Sequence, residues 1–480
     1  MDMNCDTPRV VIVGAGIAGI TMAMNLRSKL RHDNFIVSQP KHGSIGGTWR
    51  GCGSDVPGHW YSLSTEPNPY WKNYYITQPE IRAYWEEIYR KHDLASRRVF
   101  NTCVKLVEWD EANGKMVTQI QAEAVIQAVG YFTKPVYPNI PGNDKFRSGP
   151  VWHSSQWRHD VDLKGMTVGV IGNGCSATQF VPAIAAEPTT RVINFCRTPQ
   201  WIAPKSNYQH PNWVKWAFAH VPFLMYAYRS FMMITLLTWY IRSTAPAKYR
   251  DSLIPTYPPG CKRIVLDSNY LAALHQPNID LNWTGIQEIV EDGIVLKTGE
   301  STGFYLAERD VVFRGIGGRT LNHYFESEGG YYGTVFPGFP NLFTIVGPNS
   351  ASAHASLIFV IETQVSYILK LMTPIINGKA KSLQVTQKAT TFYNTWIQKR
   401  MASTIFLSCF SYYRGDNRTG AKNLATFPGM VSLYWESLVL ASSVLTEVCT
   451  LNVCPPPAAE AVEGLGGLVL ALYTVYFSSS

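Results

Sequence analysis

The sequence predicts an α/β fold with two dinucleotide-binding, Rossmann-like domains and a helical insertion. Three observations carry this reading. An apolar strand pattern, RVVIVGAG, runs directly into a helical one, IAGITMAMNLRSKL. A second strand–turn–helix, MTVGVIGNGCSATQFVPAIAA, repeats the arrangement, with Gly172 lying 158 positions after Gly14. At 480 residues the chain has room for two or three cores. A glycine turn between a buried strand and a helix is the signature of a nucleotide-binding βα unit, so two of them predict two sites.

The bulk composition narrows the function. Hydrophobic residues make up 46% and charged residues 16%, which is globular and not disordered. The net charge of +8 comes without a Lys/Arg-rich run, so no nucleic-acid partner is expected, whereas a bound polyanion such as a dinucleotide suits it. Nine dispersed cysteines predict reduced thiols in the cytosol, with neither a disulfide framework nor a metal site. The N-terminus shows no basic leader or signal core, and a cytoplasmic location is expected. Residues 213–240 are rich in aromatics but contain Lys215, His220 and Arg229. They read as a buried or substrate-capping helical pair. A membrane-surface helix is the second reading, which leaves peripheral membrane contact open. The apolar run GLGGLVLALYTVYF is shorter than the roughly 20 residues of a spanning helix.

Gly14, Gly16 and Gly19 form the first G-x-G-x-x-G. One glycine permits the sharp turn, one the approach of a pyrophosphate, and one close packing of helix on strand. The helix N-terminus then offers amide donors and positive dipole to the phosphates. An acid to hold the ribose is expected about 20 residues on. The second strand ends instead in Ser38-Gln39-Pro40, so Gln39 is the ribose candidate.

The second loop holds Gly172, Gly174 and Ala177, with Ser176 and Gln179 on the first turns of its helix. Its next strand ends FCRTPQW. Arg197 stands where an acid would read a free 2′-hydroxyl. A guanidinium there favours the 2′-phosphate of NADP, and Thr198 adds a hydroxyl. A solvated surface arginine is the alternative. Two such sites in one chain pair a flavin with a nicotinamide and imply hydride transfer between them.

From about residue 8 to 437 the chain resembles the flavin-dependent Baeyer–Villiger monooxygenases, within the class B flavoprotein monooxygenases. The segments that carry the likeness are VIVGAGIAGI, IGGTW, VPGHWYSLSTEPNP, AVGYFTKPVYPNIPG, GPVWHSSQW, FPGFPNLFTIVGPNS and CFSYYRG. GPVWHSSQW resembles the family fingerprint F-x-G-x-x-x-H-x-x-x-W. Gly149, His153 and Trp157 keep its spacing, while Phe146 stands one place early. Taken alone, His153 reads as a satisfied linker histidine.

The resemblance implies FAD and NADPH as cofactors, and O2 and a small-molecule ketone as substrates. It places Gly46, Gly47, Thr48, Trp49, Asp55 and Tyr61 at the flavin. In PPGCKRIVLDSNY, Arg263 matches the arginine that stabilises the flavin peroxide, and Lys262 matches the lysine that reads the NADP phosphate. Asp55 matches the acid that orients that arginine, so Arg263 and Asp55 are the catalytic candidates. An ordinary interdomain salt bridge is the alternative reading of that pair. The implied reaction is insertion of one oxygen atom beside the carbonyl, through a C4a-peroxyflavin, to give an ester or lactone. Fungal members with this wording point to secondary, often polyketide, metabolism.

The domains expected are an FAD domain over 1–157, an NADP domain over 158–320 with a helical insertion about 205–255, the second part of the FAD domain over 321–437, and an atypical tail over 438–480, read as a poorly folded appendage. Two departures stand out. The family pattern [AG]-G-x-W-x-x-x-x-[FY]-P-G-x-x-x-D is five residues short here, because Arg50 alone separates Trp49 from Gly51. NGKMVTQIQAEAVIQAVG is short for the hairpin the family places there. These keep two other functions open: an N- or S-hydroxylating flavin monooxygenase, and a catalytically impaired remnant lacking part of the flavin loop.

Overall fold

The computed structural model describes residues 9–39, 46–47, 61–68, 71, 75–100, 102–110, 119–130, 135, 137–205, 237–297, 311–351, 356–409, 411–414, 422–443, 449–453 and 473–479. The chain begins with β1 (Val10–Val13), α1 (Ile17–Leu30) and β2 (Phe35–Gln39), then α2 (Gln78–Lys91), β3 (Arg98–Phe100), β4 (Thr102–Trp109), β5 (Gln119–Ala122) and β6 (Ala124–Gln127). It continues through β7 (Thr167–Ile171), α3 (Cys175–Ala185), β8 (Arg191–Phe195), β9 (Ile202–Ala203), α4 (Leu237–Thr244), α5 (Arg250–Leu253), β10 (Val265–Leu266), α6 (Tyr270–Ala273) and β11 (Ile279–Asn282). A hairpin of β12 (Ile286–Val290) and β13 (Gly293–Leu296) follows. The return comprises β14 (Val312–Arg314), β15 (Leu342–Thr344), α7 (Leu357–Ile376), β16 (Ala380–Val385), α8 (Gln387–Ala402), α9 (Val431–Ser443), β17 (Cys449–Val453) and β18 (Tyr473–Ser479).

The first sheet has the order β15-β6-β1-β2-β3, with every pair parallel. A parallel strand covered on both faces is apolar throughout. β1, reading VVIV, is buried at all four positions. Every residue of α1 from Ile17 to Leu26 is buried, so this is a core helix and not an amphipathic surface one. It shares one apolar cluster with Trp85 of α2, Phe343 of β15 and Ile368 of α7. Among the described residues α7 alone is long and apolar enough to cross a membrane, but 67% of that stretch is buried in this core. Local sequence sets the ends. Thr77 and Glu80 form a reciprocal capping box at the start of α2. The Ser356 and Thr386 hydroxyls accept the Ile358 and Ala389 amides at the starts of α7 and α8.

The second sheet, β11-β8-β7, is also parallel. Its core gathers Val170, Val181, Val192, Leu253, Tyr270 and Ile279. β9 and β10 pair in parallel beside it, and α4 and α5 lie in the stretch expected to hold the insertion. Most of the aromatic segment 213–240 lies outside the described residues. Of its end, Leu237 is buried and Trp239 is 62% exposed.

A four-stranded sheet has the order β14-β4-β18-β5. This corrects the reading of the tail as a poorly folded appendage. β17 pairs antiparallel with β16, and β18 runs antiparallel to both β4 and β5. β4 and β5 are not neighbours, because β18 stands between them and fills the hydrogen-bonding edges of both.

Candidate active site

The first glycine loop is built by backbone contacts that leave little choice of residue. Gly14 sits at φ +112°, and a Cβ there would lie 2.6 Å from the Ala128 carbonyl oxygen at the end of β6. Its amide donates to the Ser38 carbonyl (3.1 Å), tying the turn to the end of β2. A Cβ on Gly19 would run into the Gly14 carbonyl oxygen. Gly16 is the N-cap of α1, in extended backbone, and no side chain caps the helix. The first-turn amides are therefore left for a ligand or water.

A distant segment completes the loop. The Gly46 amide donates to the Ala15 carbonyl (3.2 Å), Gly16 and Gly46 form a parallel bridge, and a Cβ on Gly47 would stand 3.2 Å from the Gly16 Cα. Gly14, Gly16, Gly19, Gly46 and Gly47 thus meet at the carboxyl end of β1. The backbone of Gln39 closes β2 beside them, paired with Phe100. Tyr61 is buried in the same apolar cluster as Ala15 and Ile17. Thr48, Trp49 and Asp55 lie outside the described residues, as does the shortened stretch after Arg50.

The second loop repeats the design. Gly172, at φ +107°, donates its amide to the Phe195 carbonyl (2.9 Å). Gly174 caps α3 with no side-chain partner. Ser176 is exposed on the first turn, whereas Ala177 is buried where the third small residue must pack. The Gln179 amide is turned back onto its own helix, donating to the Cys175 carbonyl (2.8 Å).

Three residues passed over in the sequence hold this loop. Buried Asn194 donates to the Val170 and Gly172 carbonyls (3.0 and 2.8 Å) and accepts from the Tyr270 hydroxyl (2.7 Å). Asn173 donates to the Thr198 carbonyl (3.0 Å). An asparagine inside the otherwise apolar strand RVINF was the available signal, since a buried amide needs partners.

The basic residues gather at the carboxyl end of this second sheet. Arg197 and Thr198 follow β8, Arg197 being exposed. The Lys262 ammonium lies over the Tyr257 ring, 4.6 Å from its centre. Burial, and then the nearby Arg197 charge, hold Lys262 below the usual ammonium range. A neighbouring cation makes Lys262 harder to charge, and an anion bound beside it reverses that cost. Half-buried Arg263 follows directly. The segment is fixed by β10, whose Val265 and Asp267 flanks donate to the Trp201 and Ala203 carbonyls (2.8 and 2.9 Å). Asp267 is itself buried, accepting from the Tyr240 hydroxyl of α4 (2.7 Å) and the Tyr270 amide (2.6 Å). Arg263 directly follows Lys262, while its expected partner Asp55 falls outside the described residues.

The cysteine reading needs correction. Cys261 and Cys409 are joined in a disulfide, with Cα atoms 6.1 Å apart, inside the range such a bond spans. Among the described residues Cys103 and Cys196 are outside any disulfide. Among the described residues no group of His, Cys, Asp and Glu is placed to hold a metal ion.

The linker histidine is locally satisfied. His153 Nδ1 accepts from the Ser155 amide (3.1 Å) and also pairs with the Ser155 hydroxyl (2.8 Å). Burial lowers its pKa from the ordinary imidazole value. Trp157 packs against Trp152 and Phe180, which docks the linker on the second core.

Two parallel sheets, each with a glycine turn leading into a helix without a side-chain cap, define a two-dinucleotide oxidoreductase. Residues 11–220 match the pyridine nucleotide-disulphide oxidoreductase family model. The chain is 33% identical to a Baeyer–Villiger monooxygenase of Pseudomonas aeruginosa, over 88% of each chain. It is 29% identical to the FAD-binding monooxygenase KtnD of Aspergillus niger, over 90% of this chain and 79% of that one. A solved steroid monooxygenase bound to NADP superposes with a TM-score of 0.76 and 25% identity, over 93% of this chain and 99% of that one. The chain belongs to the Baeyer–Villiger monooxygenases, which are NADPH-dependent flavoprotein enzymes.

Proposed function

We propose that the chain binds FAD at the first glycine loop and NADPH at the second, and inserts one oxygen atom of O2 beside a ketone carbonyl to give an ester or lactone. The observation that carries the nicotinamide half is half-buried Lys262, held over the Tyr257 ring beside the second sheet, whose α3 helix starts without a side-chain cap. Lys262 and Arg197 suit the 2′-phosphate of NADPH, and the Gly174 end of α3 suits its pyrophosphate. The first loop fits a flavin dinucleotide by the same test. Its glycines leave no Cβ between backbone and ligand, and its helix amides have no side-chain cap.

Bound FAD, reduced by NADPH, supplies the oxygen-activating chemistry. The protein's part is electrostatic and positional. Arg263, charged at any working pH, stabilises negative charge developing on the oxygens at the reacting carbonyl. Asp55 is assigned the orientation of Arg263. Gln39 is assigned a ribose hydrogen bond, and Thr48, Trp49 and Tyr61 are assigned to the flavin. The likeness to fungal FAD-binding monooxygenases is in keeping with a role in secondary metabolism, and a polyketide ketone is the substrate class that the resemblance of the sequence implies.

The test is product analysis. Purified protein with added FAD, NADPH and a panel of ketones is expected to be yellow and to yield esters or lactones carrying one oxygen from labelled O2. Oxygenation confined to amines or sulfides would refute the ketone assignment, and a colourless protein inert toward NADPH would refute the enzyme reading.

A further inference from the structure

We propose that the Cys261–Cys409 disulfide is a positioning bond for the Lys262–Arg263 pair, and that its reduction by a dithiol releases the pair and weakens NADPH binding. The proposal rests on the assignment of Lys262 to the nicotinamide phosphate, but adds a bond that nothing in the glycine loops requires. Cys261 is fully buried and precedes Lys262 directly. Cys409 is separated from it by 148 positions and lies in the turn after α8, a helix of the first core. The bond therefore ties the basic segment of the second core to the far part of the first.

The local geometry shows what the tie adds. On its N-terminal side the segment turns at Gly260, where φ is +91°, and the Cys261 amide makes a long bond to the Pro258 carbonyl (3.3 Å). The ladder of β10 holds the chain only from Val265 onward. Lys262 and Arg263 thus sit between a loose turn and a two-residue strand. On the other side, Cys409 is anchored in a built turn. Buried Arg414 donates to the Leu407 carbonyl (3.3 Å), and the Ser411 hydroxyl accepts the Tyr413 amide (3.2 Å). A covalent link from the cationic segment to a fixed turn removes conformations that the segment would otherwise reach.

The chemistry is thiol–disulfide exchange. Cys261 is buried and Cys409 partly exposed, so the reductant's thiolate attacks the Cys409 sulfur and Cys261 leaves as its thiolate. The second thiol of the reductant then attacks the mixed disulfide and releases Cys409. Two electrons pass from the dithiol to the protein disulfide. Two protein thiols and one reductant disulfide result, the dithiol's protons ending on the cysteines.

The experiment uses the full chain purified without reductant. A peptide pair linked through Cys261 and Cys409 is expected in a non-reduced digest and is expected to vanish after dithiothreitol. Reduction should raise the KM for NADPH roughly tenfold while changing kcat by less than about threefold, the pattern of lost cofactor positioning. Trypsin should cut the folded protein after Lys262 and Arg263 only once it is reduced. Reoxidation with glutathione disulfide should restore both properties. Cys409→Ser should behave as reduced enzyme and ignore dithiothreitol, whereas Cys103→Ser should behave as wild type. If Cys409→Ser fails to fold, the reduction and reoxidation arms decide alone.

Absence of the linked peptide overturns the proposal. So does its loss with NADPH affinity and tryptic pattern unchanged, or with kcat and KM damaged together as FAD is shed. Redox-dependent tryptic protection in a protein with no NADPH affinity in either state would support the positioning bond and refute the cofactor assignment instead.

Discussion

Lys262 shows how much one residue's surroundings add to its type. As a letter in PPGCKRIVL it is a lysine among prolines. In the fold it is half-buried over Tyr257 and repelled by Arg197, which together depress its pKa. A lowered ammonium pKa means that the charge is present at low pH and is lost at a pH below the usual lysine range. NADPH affinity is therefore expected to fall as pH rises through that range, with bound phosphate opposing the loss. Lys262→Arg should flatten this dependence, because guanidinium stays charged. Lys262→Met should weaken NADPH by about 1.5–3 kcal/mol, the worth of a hydrogen bond to a charged group, and leave NADH nearly untouched. Initial-rate measurements with both nucleotides across pH decide this. The glycine turns were legible because each satisfies a local demand of the backbone. Asn194 was not singled out, since its partners Val170, Gly172 and Tyr270 come from three elements. The Cys261–Cys409 pair could not be read, because cysteine pairing depends on distances that sequence spacing does not encode.

At the scale of elements, strand–turn–helix units were the readable parts. β1 with α1 falls where the pattern places it, since a buried parallel strand and a core helix are each apolar over a continuous run. β7 with α3 also falls where its pattern places it, although of β7 only Val170 is buried and α3 buries one face. Their coupling is tightest at Gly19, where the helix leans on the Gly14 carbonyl. Gly19→Ala must push α1 away from the turn, and overpacking of this kind costs about 1–3 kcal/mol. The expected outcome is a lower Tm together with loss of bound flavin absorbance. A variant that keeps both would show that the turn has slack the geometry does not suggest. The tail strands were not legible. β18 owes its place to an edge offered by β4 and β5, and the partners of a strand are not written in its own residues.

The whole molecule is two nucleotide folds threaded through each other. The first sheet takes strands from both ends of the described chain: β1, β2, β3 and β6 precede the second fold, and β15 follows it. That interruption explains why the basic segment near Lys262 has no chain neighbours in the first core, and why a bond such as Cys261–Cys409 has something to join. The class of fold was readable because both fingerprints are local. The third sheet and the crosslink were not, because each joins residues more than a hundred positions apart.

The place of β18 has a consequence for how the protein comes into being. β4 and β5 leave the ribosome early and β18 far later, so the gap between them stands open through most of synthesis. During that time two strand edges are available to any other extended chain, including a second nascent copy. The sheet is a lock closed by a strand made more than 350 positions after the edges it covers. A chain stopped at residue 472 is accordingly expected to accumulate in the insoluble fraction, and co-expression of a separate 473–480 peptide is expected to return part of it to solution. Equal solubility of the truncated and full chains, measured by sedimentation of lysates, would show that the β4–β18–β5 arrangement does not guard those edges.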